Sequence, residues 1–318
     1  MKYPPIRSIY LNCARRLTAT FLVLTAIYFP LAVRWPKLIL ILGPLLFGYS
    51  HLLASYCGIG TAVNRPKTRF FLLLSLGTLF AFAGKLVVRN ALFEIPFGSS
   101  DVMVSVLVLL LVHASSHSFS FYKILVCTLL NALILTFAWQ EPLWVVGGIL
   151  IVHNWVAFFY WIRSSRTLDR KLTAFFALAV FAILHWTVAR GFFDSFFPAF
   201  DPEMMNGTEI TGWYLASWSS DPKIWYRAVV IYAYGISIHY FIWLKAIPES
   251  QHRGEAPYSF RRTLDELKTD LGGRMAILVR SIGFLGMGVW CFSSSWGRTL
   301  YFELAALHGW LEIVFMLM

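Results

Sequence analysis

The chain alternates long apolar runs with short polar breaks, and the length of the runs sets the architecture. A helix needs about 20 mostly apolar residues to cross the hydrocarbon core of a bilayer. Ten stretches approach that length, roughly 17–33, 38–60, 70–88, 102–122, 124–139, 143–162, 172–189, 225–246, 276–297 and 300–318. Lys123 alone divides the fourth from the short fifth, which predicts a tight helical hairpin there. The pattern predicts an all-α, polytopic integral membrane bundle of about ten transmembrane helices, with 1–318 forming a single transmembrane domain. The first run is long and lacks a small-residue cleavage site, so it is expected to be an anchor.

Two breaks are long enough to carry structure of their own. The segment 190–224 mixes Asp194, Asp201, Glu203, Glu209 and Asp221 with Phe192, Phe193, Phe196, Phe197, Trp213 and Trp218. Such aromatic-rich loops settle at the headgroup boundary, so it is expected along the outer interface or over the bundle mouth. The segment 247–275 places Phe260, Leu264 and Leu267 at helical spacing, which predicts a short interfacial helix.

Composition agrees with the span pattern and removes the alternatives. Hydrophobic residues make up 58% of the chain, charged residues 14%, and the mean hydropathy is +0.65. A soluble domain carries about 25% charged residues, so a soluble, disordered, collagenous or coiled-coil chain is excluded. Cys13, Cys57, Cys127 and Cys291 are scattered, with neither a thiolate metal motif nor a disulfide framework.

The net charge of +11 is a topology signal. With the N-terminus inside, eighteen basic residues fall in cytoplasmic segments and eight at the outer side, while Arg280 lies within the ninth span. That asymmetry predicts cytoplasmic N- and C-termini. It also accounts for the charge without nucleic acid as a partner.

Candidate chemistry lies in the eight histidines, seven of which fall in spans. Ionisable groups at membrane depth are costly and mark function by default. His51, His113, His117, His153 and His239 occupy the second, fourth, sixth and eighth spans. At ~1.5 Å per residue they share a level to within roughly 8 Å. His113 and His117 are four apart, so both imidazoles leave one helical face and can bind one ion. These five are the expected metal ligands. His185 and His308 lie shallower, and His252 sits in a polar break.

Imidazole ligands suit iron, copper, zinc or nickel. Acidic residues are scarce within the spans, with Glu141, Glu303 and Glu312 near helix ends and Asp101 opening the fourth span. A carboxylate-bridged di-iron centre is therefore not expected, and an all-histidine non-haem iron site that activates O₂ is. The aromatic runs after His153 (Phe158-Phe-Tyr-Trp) and within Tyr240-Phe-Ile-Trp after His239 suggest a cavity for an apolar lipid or isoprenoid substrate. Two other classes stay open. Histidines on different helices can ligate haem b with a quinone as partner, and titrating histidines can serve a transporter or proton relay. The sequence identifies no electron donor.

Single histidines in separate spans plus one His-x-x-x-His, here His51, His113, His117, His153 and His239, resemble the pattern of the Brp/Blh membrane carotene dioxygenases. The resemblance implies a multi-pass protein of a bacterial inner membrane. It implies histidine-bound iron and cleavage of β-carotene to retinal, hence carotenoid metabolism. The repeated histidine boxes of membrane fatty-acid desaturases and hydroxylases are mostly missing.

Overall fold

A computed structural model describes residues 6–43, 142–197 and 221–251 continuously, together with 47, 48, 51, 129, 133, 136, 272–274, 277, 278, 281, 309 and 312. These residues are almost wholly helical, and no strand occurs among them. Three helices, Cys13–Arg34, Leu168–Ala189 and Pro222–Ser250, are long and apolar enough to cross a membrane. The third and fourth predicted spans lie outside the described residues. The fifth, ninth and tenth are represented only by isolated helical positions.

The chain divides into two compact units. One comprises Met1–Ala54 with Asn154–Asp265, and the other Ser55–His153 with Glu266–Met318. In the first, α1 (Ile6–Arg34), α2 (Pro36–Gly43), α4 (Leu168–Ala189) and α5 (Pro222–Phe241) pack together, and α3 (Pro142–Ser164) joins them from Asn154 onward. The second unit is described through the first turns of α3 and the scattered helical residues. There His153 and Glu312 are both buried.

Local signals explain where the helices stop. α1 ends at Trp35, and Pro36 opens α2, a position where its missing N–H costs nothing. Thr167 caps α4, its hydroxyl accepting from the Arg170 N–H at 3.4 Å, and Asp169 in the first turn favours the positive end of the helix dipole. Asp221 caps α5 by accepting from the Lys223 N–H at 2.9 Å, with Pro222 next.

α5 is the hub of the first unit. It is buried over 83% of its apolar window, against 28% for α1 and 33% for α4, so α1, α2 and α4 surround it. Ala14, Leu17 and Phe21 form the buried stripe of α1. Thr173, Ala174, Ala177, Phe181, His185 and Val188 form that of α4. Small residues on these stripes let helices approach where lipid supplies no hydrophobic drive. Hydroxyl pairs add polar contacts, Thr18 with Thr173 at 3.3 Å and Thr25 with Tyr234 at 3.2 Å. The opposite face of α4 exposes Leu172, Phe175, Phe176, Ile183 and Trp186, as a lipid-facing surface requires.

Two features depart from the span pattern. The eighth span does not give way to a loop at 247. α5 passes through a π-helical turn, Ile242–Ala246, into α6 (Ile247–Gln251). The wide turn sits just ahead of Pro248, where a ring that cannot donate to the preceding turn is absorbed. Of the break 190–224, residues 190–197 are described before Asp221 caps α5. Gly191 takes a left-handed φ of 82° and turns the chain onto the ends of α1 and α5. Phe193 packs on Phe29, Phe197 packs on Tyr226, and Asp194 forms a two-pronged ion pair with Arg227.

Candidate functional site

Two of the five candidate histidines meet. His239 stands on the last turn of α5, and His51 follows the π-helical residues Phe47 and Gly48. Their Nε2 atoms lie 2.9 Å apart. The ring centroids are 4.4 Å apart and the planes nearly perpendicular, at 74°. Both side chains are almost fully enclosed, at 4% and 1% exposure. A hydrogen bond between them needs a proton on one Nε2 and a lone pair on the other.

The same distance suits a shared ion. Two enclosed imidazole nitrogens brought together in this way would also be able to hold one ion between them. π-Helical turns flank both residues, at Phe47–Gly48 before His51 and at Ile242–Ala246 after His239. Such turns are rare and concentrate at functional positions because they rotate side chains off the regular helical register.

The wall around the pair is aromatic. Tyr240 lies 5.3 Å and Trp243 6.0 Å from the His51 ring. Trp243 is also 6.5 Å from His239, and Tyr160 of α3 covers it at 5.3 Å. Phe47 packs on Tyr240. The aromatic run after His239 therefore contributes two residues to this wall, whereas the run after His153 contributes Tyr160. Phe158 and Trp161 pack instead on Phe181 and Phe241, and Phe159 is exposed.

The other histidines fall elsewhere. His113 and His117 lie outside the described residues, as do His252 and His308. His153 is buried in the second unit. His185 is held within the first unit by its own helix. Its Nδ1 lies 2.8 Å from the Phe181 carbonyl, and its ring stacks at 3.9 Å on Phe181 and faces Trp155 and Tyr234. The Phe181 carbonyl thereby takes up one of the two His185 ring nitrogens. Glu312, set by the sequence near a helix end, is completely enclosed.

Two further residues pack on or beside α5. Asn154, 1% exposed, sits against Gly235, where an added Cβ would stand 2.9 Å from the Asn154 Nδ2. Trp243, the last residue of the aromatic run expected beside His239, follows it by four positions, a spacing that puts both on one side of the helix.

Against known proteins, no family model matches the chain, and neither a curated protein nor a solved structure does.

Proposed function

We propose that this protein is a membrane-embedded metalloenzyme in which His51 and His239 supply two ligands of one ion, iron, and which oxidises or cleaves an apolar lipid or isoprenoid substrate with O₂. The observation that carries the reading is the 2.9 Å approach of two enclosed Nε2 atoms from separate helices. Bringing imidazoles together at membrane depth is costly unless they share a proton or a metal. Imidazole donors suit iron, copper, zinc or nickel, and iron is the one of these whose open positions suit O₂ chemistry. Bound iron would supply a redox-active Lewis acid with open positions for O₂. The chain's own residues hold it, keep it dry and line its approach with Tyr240, Trp243 and Tyr160. That lining favours a long apolar substrate over a charged one. Ten spans, cytoplasmic termini, a bacterial inner membrane and likeness to the carotene dioxygenases complete the proposal, with His113, His117 and His153 as further ligands.

Haem b fits this pair poorly. Two Nε2 atoms at hydrogen-bond distance leave no room for a macrocycle between the rings. A proton relay is the second reading, since the His51–His239 hydrogen bond is itself a path for a proton. Metal analysis and an optical spectrum of detergent-purified protein separate the readings. About one iron per chain without a Soret band is expected. A strong Soret band supports haem, stoichiometric zinc supports hydrolysis, and protein free of metal supports the relay.

A further inference from the structure

Two tryptophans are buried beside the end of α5, and their indole nitrogens are treated differently. Trp161 Nε1 donates to Ser250 Oγ at 2.9 Å. Trp243 is 4% exposed, yet its Nε1 has no acceptor among the described residues. A buried donor left unmet carries its full desolvation cost, and indole N–H groups in protein interiors usually find an acceptor. The indole of Trp243 lies against both imidazoles, at 6.0 Å and 6.5 Å, on the turn that follows His239. Tyr160 packs on it at 5.3 Å.

We propose that the Trp243 N–H is the hydrogen-bond donor for a ligand held at the His51–His239 pair, and that this ligand presents an anionic or carbonyl-type oxygen. The inference rests on the pair being a metal site. A donor with no acceptor capacity recognises lone pairs and rejects N–H or ammonium groups. Among the aromatic rings around the pair, one such N–H would help decide which small ligands are retained and how they are oriented. The contrast with Trp161 matters here. An indole bonded to protein is part of the scaffold, whereas one kept unbonded beside two potential ligands is available to a guest.

The test is azide affinity of the iron-loaded, detergent-purified full chain, azide standing in for the anionic ligand. Trp243→Phe keeps an aromatic ring and removes the donor. It is expected to retain iron and to bind azide about tenfold more weakly, the loss of one hydrogen bond. Trp161→Phe is expected to leave azide affinity unchanged. Unchanged affinity in Trp243→Phe with iron retained overturns this inference and leaves the metal reading standing. Absence of iron from the wild-type protein overturns the metal reading first, and this inference with it. Should Trp243→Phe fail to fold, ultraviolet resonance Raman of the wild type gives the answer. Azide is expected to shift one indole N–H band towards stronger hydrogen bonding, and an unaltered spectrum overturns the inference.

Discussion

Single residues decide how closely the helices of the first unit can approach, and Gly235 is the sharpest case. With Asn154 Nδ2 2.9 Å from where a Cβ would stand, Gly235→Ala forces either Asn154 or α5 to move. It is expected to cost about 1–3 kcal/mol, read by thermal unfolding in detergent, and Asn154→Ala in the same chain is expected to recover part of it. Ser250 provides a second case. Ser250→Ala removes the acceptor for the buried Trp161 N–H and is expected to cost about 1–3 kcal/mol, measured in the same way. At this scale the sequence was informative about type and silent about direction. Five histidines of similar depth could be named, but which rings face one another depends on helix rotation, which near-uniform apolarity does not encode. α5 is buried almost all round, so no polar stripe marks the side on which His239 lies. His185 shows the converse, since its bond to the Phe181 carbonyl four residues earlier uses a local partner available to any helical histidine.

Among the elements, those with strong end signals were readable and those with irregular turns were not. Thr167 before α4 and Asp221-Pro222 before α5 are helix starts legible from residue type. The π-helical turn Ile242–Ala246 was not, because it leaves no compositional mark, and so the chain was expected to leave the helix at 247 when it continues to Gln251. The turn at Asp194–Phe196 also required tertiary information. It is pinned because the Arg227 guanidinium hydrogen-bonds the Asp194 carboxylate and holds it below the usual carboxylate range, against an opposing effect of burial. A carboxylate depressed on folding stabilises the fold above its unfolded value, and that contribution is lost as pH falls through the folded one. The wild type is therefore expected to lose about 1 kcal/mol of stability in acid, below about pH 4, relative to neutral pH. Asp194→Asn is expected to lack that acid step, checked by unfolding midpoints measured across pH.

At the scale of the whole molecule, span-length apolar runs and scarce charge dictate an α-helical chain built to sit in lipid, and three helices meet the length and apolarity needed to cross a membrane. The chemistry then turns on whether the meeting of His51 and His239 serves an ion. Iron content of three purified variants tests this most directly. His51→Ala and His239→Ala are each expected to lose the iron while keeping helical content, and His185→Ala, whose ring bonds its own helix, is expected to keep it. Iron retained at the wild-type level in both His51→Ala and His239→Ala would contradict the account.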